Sequence, residues 1–115
     1  MIDFRKSIVQ PIQSESFVAR GIQLFIKRDD LLHDEISGNK WRKLKFNVGQ
    51  CIQNKNIGIL TFGGAYSNHL VATAAACAES GLRSIGIVRG DELNVESNAT
   101  LKRCAAYGMD LQFVS

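Results

Sequence analysis

The sequence predicts an α/β fold on a parallel sheet, a Rossmann-like three-layer half-domain, and three observations lead there. Residues 57–62 (IGILTF), 84–89 (SIGIVR) and 110–114 (DLQFV) are short apolar or alternating runs of strand length. Between them lie two helical stretches, 67–80 and 96–107. Each is followed by a glycine, Gly81 and Gly108, where a helix C-terminus favours a left-handed residue. Strand, helix, strand, helix and strand at this spacing imply a βαβαβ unit with right-handed crossovers.

Ahead of that unit, residues 22–27 (IQLFIK) alternate at period two and predict a strand, closed by Arg28-Asp29-Asp30. Residues 33–38 (HDEISG) are polar and rich in turn formers, so an exposed loop is expected there. From Asn39 onward Trp41, Leu44, Val48, Cys51 and Ile52 recur at spacings of three and four, the pattern of an amphipathic helix. Ser37 is its expected N-cap, and the helix should fade over residues 53–56. The run 57–62 suits a strand buried on both faces. A three-stranded parallel sheet needs more strands and helices on both sides, so the chain is expected to be part of a longer protein.

Composition narrows the function classes. With 45% hydrophobic and 22% charged residues the chain is globular rather than disordered. Its net charge of +3 comes from separated clusters, not the dense basic stripe of a nucleic-acid binder. Cys51, Cys77 and Cys104 form no CxxC pair and fit neither a zinc site nor a disulfide framework, so small buried apolar residues in a reducing compartment are expected, and no metal site. The first residues lack a signal peptide's apolar core and no run reaches membrane-spanning length, which points to a cytoplasmic protein without membrane partners.

Two segments can carry chemistry. In Ser37-Gly38-Asn39-Lys40-Trp41-Arg42-Lys43-Leu44 a lysine sits in a first helical turn. The positive helix terminus, Arg42 and Lys43 all disfavour a further cation, so the Lys40 amine should deprotonate more readily, as Schiff-base chemistry requires. An ordinary solvated lysine is the alternative, and helical projection places Lys45 as close to the apolar face as Lys40. The second segment, Thr61-Phe62-Gly63-Gly64-Ala65-Tyr66-Ser67-Asn68-His69, lies at the carboxyl end of the first parallel strand, where open α/β sheets bind ligands. Ser67 or Asn68 could equally cap the following helix. The turn matches neither GxGxxG nor a P-loop.

Lys27-Arg28-Asp29-Asp30-Leu31, the GNKWRKL segment 38–44 and Gly63-Gly64 with Ser67-Asn68-His69, in this order, resemble the family of 1-aminocyclopropane-1-carboxylate deaminases and D-cysteine desulfhydrases. The resemblance runs from about residue 5 to the last residue. It implies a fold-type-II pyridoxal 5'-phosphate enzyme, of which this chain is an amino-terminal portion. Residues 1–49 would then open the large domain and 50–115 the small α/β domain. Lys40 would be the cofactor lysine, with Asn39, Asn68 and His69 also at the cofactor. Ser67 would bind the substrate carboxylate or assist ring opening.

By the same resemblance the full-length enzyme would be a homodimer acting on a small amino acid. It would release ammonia and a 2-oxo acid, and sulfide from D-cysteine. Tyr66 stands where the family often has glutamine, and Ser37 where a second glycine is common. His69 is closer to the desulfhydrase branch. The phosphate-binding loop and the residues that choose the substrate lie beyond Ser115 in this family. Two rivals are a non-catalytic fragment or binding module that keeps the fold without a complete cofactor site, and another fold-type-II enzyme related to serine dehydratase or cysteine synthase.

Overall fold

In the computed structural model, which describes residues 2–115, the chain opens with an antiparallel ribbon of β1 (Val9–Ile12) and β2 (Leu24–Lys27). Val9 lies opposite Lys27 and Ile12 opposite Leu24, with the single helical turn α1 (Glu15–Val18) in the connection. The alternation of 22–27 foretells β2 but not its partner, because β1 contains Pro11. That ring removes a ladder donor and is tolerated only at a sheet edge, which β1 is.

Past the 3₁₀ turn Asp29–Leu31, the segment expected to be an exposed loop is strapped to the body of the protein. Leu32 and Ile36 are 2% and 1% exposed, and Ile36 joins the core between two helices. Two of the polar residues between them have partners: His33 Nε2 lies 2.7 Å from Glu79, and the Arg103 guanidinium donates to Glu35. The segment reads as a loop because only two of its residues are large and apolar, yet those two anchor it.

Helix α2 (Asn39–Gln53) has the predicted extent and buries Leu44, Val48 and Cys51, while Ile52 stays exposed. Its N-cap is Gly38, not Ser37, and no side chain caps it. Gly38 has φ +59°, a conformation that side chains resist, and its amide donates to the Asp29 carbonyl at 2.8 Å, so the chain turns one residue later than the expected cap. Asp29 also fixes the first turn through its side chain: Nε and Nη2 of Arg42 donate to the two carboxylate oxygens, and the Ser7 hydroxyl donates to the same group. The Arg42 guanidinium first, and the Ser7 hydroxyl second, hold the Asp29 carboxyl well below the usual range, at about 2.

The βαβαβ unit follows as β3 (Gly58–Gly64), α3 (Asn68–Glu79), β4 (Arg83–Arg89), α4 (Ala99–Ala106) and β5 (Met109–Val114). The sheet is parallel in the order β3-β4-β5. Gly81, at φ +67°, ends α3 as expected: Leu82 N–H reaches back to the Cys77 carbonyl at 2.9 Å. The last helix starts later than the predicted residue 96. Val95–Ser97 form a 3₁₀ turn under an Asn94 capping box, and Asn98 then caps α4 by accepting from Leu101 N–H. Two consecutive caps interrupt a stretch whose apolar spacing alone looks continuous.

Leu70, Val71 and Ala74 of α3, Leu101 and Cys104 of α4, and Val88 and Met109 of the sheet make one core. Leu44 and Val48 of α2 with Ala72, Ala75 and Ala76 of α3 and Ile36 make a second. Alanines along α3 let α2 approach closely. The three cysteines are free and buried, and burial pushes the Cys77 thiol up to about 11. The opposite sheet face is bare among the described residues. Leu60 and Phe62 are 53% and 70% exposed there, so β3 is covered on one side rather than the two its apolar run suggests.

Two outcomes follow. A Cβ on Gly58 would come within 2.8 Å of the Arg83 carbonyl carbon, backbone that cannot yield without opening the β3–β4 ladder. Gly58→Ala should therefore cost about 1–3 kcal/mol, read as a lower urea midpoint at unchanged slope. Asp29, with its carboxyl lowered from 3.8 to about 2, contributes stability that is complete above the ordinary value and lost as pH falls through the lowered one. The difference in urea midpoint between wild type and Asp29→Asn should thus be constant from neutral pH down to about 5 and vanish toward pH 2.

Candidate active site

Helix α2 presents Lys40 in its first turn, half-buried, with Nζ donating to Asn39 Oδ1 at 2.6 Å. The tie with Lys45 left by helical projection is broken by placement. The Lys45 ammonium lies 4.6 Å from the Phe46 ring centroid, whereas Lys40, with Lys43, is a cation that acts on His69. The first motif thus faces the second, although they are separated by a helix and a strand.

The second motif forms as β3 runs through Gly63 and Gly64 into α3. A Cβ on Gly63 would meet Leu70 Cγ at 2.8 Å and Ser67 Cβ at 3.0 Å, so glycine there lets the first turn of α3 sit close against the strand. Nothing stands within 4 Å of the corresponding position on Gly64, which leaves that side open to a ligand. Ser67 caps α3, its Oγ accepting from Leu70 N–H at 3.4 Å, so the capping reading is correct for Ser67 and leaves Asn68 spare. The Asn68 side chain is exposed and makes no hydrogen bond among the described residues.

His69 turns back under the helix, its Nε2 3.0 Å from Thr61 Oγ1 on β3. Burial first, and the positive charges of Lys40 and Lys43 second, push its pKa below the usual imidazole value, so the ring is neutral at physiological pH. One supporting residue was not anticipated. Asn98 donates from its amide nitrogen to the Ala65 carbonyl at 3.1 Å while its oxygen caps α4, which pins the glycine turn to the next helix. An asparagine ahead of a helical pattern was the available signal, hidden because the helix was read as starting before it.

Lys40, Asn39, Ser67, Asn68 and His69 therefore gather at the starts of α2 and α3, beyond the carboxyl end of β3. The arrangement offers a primary amine, two amides, a hydroxyl and a neutral imidazole, with the free N–H groups of α3's first turn beside them. A cleft of about 580 Å³ lined by Phe4, Ile36 and Trp41 contains none of these side chains. Among the described residues no group of three or more His, Cys, Asp or Glu could hold a metal ion, and no helix is long and apolar enough to cross a membrane.

No family model matches the chain. A protein of Pyrococcus abyssi, provisionally named a 1-aminocyclopropane-1-carboxylate deaminase, is 39% identical over 85 residues, which is 72% of this chain and 26% of the relative. The bifunctional D-cysteine desulfhydrase/1-aminocyclopropane-1-carboxylate deaminase of Arabidopsis thaliana is 40% identical over 70% of this chain and 20% of its own length. A D-cysteine desulfhydrase of Salmonella paratyphi B is 37% identical over 59% of the chain and 21% of its own length. The chain thus spans between a fifth and about a quarter of the curated relatives it matches.

Among solved structures, an ACC deaminase homologue superposes with a TM-score of 0.76 at 27% identity, over 96% of this chain and 33% of that one. An O-ureido-L-serine synthase shares the fold at TM-score 0.63 and 19% identity, over 95% of this chain and 33% of its own. With its ordered motifs gathered at one place and its sequence and fold both aligned to these proteins, the chain belongs to the family of 1-aminocyclopropane-1-carboxylate deaminases and D-cysteine desulfhydrases.

Proposed function

We propose that the full-length protein containing this chain is a pyridoxal 5'-phosphate enzyme that deaminates a small amino acid, D-cysteine or 1-aminocyclopropane-1-carboxylate, to a 2-oxo acid. The observation that carries the reading is the juxtaposition of Lys40 with Ser67, Asn68 and His69 at the starts of α2 and α3. The residues fit the aldehyde-and-ring end of such a cofactor. Lys40 supplies the amine, the Asn68 amide makes no hydrogen bond among the described residues, and Gly64 leaves open space beside it. When bound, the cofactor supplies the electron sink that makes bonds to the α-carbon of an amino acid labile.

This chain's own residues have the remaining tasks. Lys40 Nζ would hold the cofactor and would take the proton from the substrate carbon. Asn39 Oδ1, 2.6 Å from that nitrogen, orients the amine. Ser67 and the N–H groups of α3's first turn bind the substrate carboxylate, and Asn68 contacts the cofactor ring. His69, neutral and held by Thr61, offers a hydrogen bond without adding a third positive charge beside Lys40 and Lys43. D-cysteine would lose sulfide in the same sequence that releases ammonia.

We further propose a homodimeric, cytoplasmic enzyme in which residues 1–49 open the large domain and 50–115 the small one. That division falls within α2, which then bridges the two. The decisive variant is Lys40→Ala in the full-length protein. It should lose the visible absorbance of lysine-bound cofactor, and keto-acid release from either substrate should fall by roughly 10²–10⁴-fold. Absorbance and turnover that survive the substitution would remove Lys40 from the reaction.

A further inference from the structure

We propose that His33 is a positioning residue. Its neutral ring closes a clasp that fixes the strap leading to Lys40 against the carboxyl end of α3. The structural part is independent of function, whereas its effect on turnover rests on Lys40 being the reactive amine.

The geometry is specific. His33 Nδ1 accepts from two consecutive backbone amides, Glu35 N–H at 3.0 Å and Ile36 N–H at 3.1 Å. A ring nitrogen that accepts from two donors carries no proton. The hydrogen is therefore on Nε2, which faces Glu79 Oε1 at 2.7 Å on the last residue of α3. Only this tautomer satisfies both sides of the ring, because a proton on Nδ1 would confront two N–H groups.

What the ring holds is the path to Lys40. Glu35, whose amide it accepts, takes the Arg103 guanidinium of α4 with its carboxylate. Ile36, whose amide it also accepts, is 1% exposed in the α2–α3 core. Only Ser37, Gly38 and Asn39 then separate Ile36 from Lys40, and Gly38 is itself bonded to the Asp29 carbonyl at 2.8 Å. Lys40 is thus held on one side by the Asp29–Arg42 pair and on the other by a strap that reaches α3 and α4. Both of those helices begin at or beside the glycine turn that carries Ser67 and Asn68. His33 consequently ties the amine to the elements that position its partners, without touching the reacting atoms.

Side-chain replacement separates this role from bulk. Asparagine places an acceptor, Oδ1, where His33 has Nδ1, while glutamine reaches toward Glu79 but offers nothing at the Nδ1 position. In the full-length protein, His33→Asn should keep amide exchange at Glu35 and Ile36 within about twofold of wild type, whereas His33→Gln and His33→Ala should accelerate it about tenfold or more. Those two should also lower kcat about tenfold with KM little changed, and asparagine should rescue most of the loss. Nitrogen NMR of the wild-type ring should show the proton on Nε2, a measurement that needs no variant to fold. A proton on Nδ1, unchanged exchange in His33→Gln, or His33→Asn as impaired as His33→Ala would overturn the clasp. If Lys40→Ala kept turnover, the enzymatic reading would fail instead, and the ring and exchange signals would still decide the role of His33.

Discussion

The Asp29 carboxylate is the constraint on which the arrangement rests. It lies in the Lys27 to Leu31 motif and receives the Arg42 guanidinium from the GNKWRKL motif, while its own carbonyl takes the Gly38 amide. Helix α2 starts without a side-chain cap, so its first turn would be free to fray. The Asp29 bonds replace the missing cap from outside the helix, gripping both the N-cap residue and a side chain of the first turn. They also reach Ser7, which attaches the amino-terminal ribbon to the same point. An aspartate bonded to a helix start is favoured further by the partial positive charge there. Two motifs that in sequence suggest parallel contributions to a site are in space a residue and its support.

At the other helix start the solution differs. Ser67 caps α3 in the ordinary way, and glycine at position 63 lets that turn lie flat on β3. Partial burial first, and the positive charge of Lys40 and Lys43 second, then set the state of His69. With two lysines and a helix terminus close by, a protonated imidazole would add a further cation, and partial burial raises that cost. Thr61 gives the neutral ring a hydrogen-bond partner instead. A crowded cationic site thus retains one neutral polar group able to accept or donate.

Legibility in the sequence followed how local each cause is. The βαβαβ unit, the extent of α2 and the Ser67 cap were readable because hydrophobic period, glycine stops and capping chemistry act over a few residues. Strand β1 was not, since Pro11 argues against a strand and only its edge position makes one possible. Ser37 has the right chemistry for a cap but lost to Gly38, whose amide is bonded to the carbonyl of Asp29, nine residues earlier. The strap 32–36 failed for the same reason: its bonds go to Glu79 and Arg103, far along the sequence. For the site, the residue types were legible and their supports, Asp29, Thr61 and Asn98, were not.

The bare face of the sheet bears on how much of this geometry depends on surroundings. Leu60 and Phe62 point away from the helices, and neither belongs to the two cores. The start of α2 is held by Asp29 and by the strap, and α2 packs on α3 through Leu44, Val48, Ile36 and the α3 alanines. Covering Leu60 and Phe62 would add burial of about 25 cal/mol per Å² to the sheet as a whole. The bonds of Asp29 with Arg42 and Gly38, and of the strap with Glu79 and Arg103, do not involve that face. The supports of each helix start, Asp29 for α2 and the Ser67 cap for α3, thus lie within this segment, whereas sheet stability is where additional partners would act.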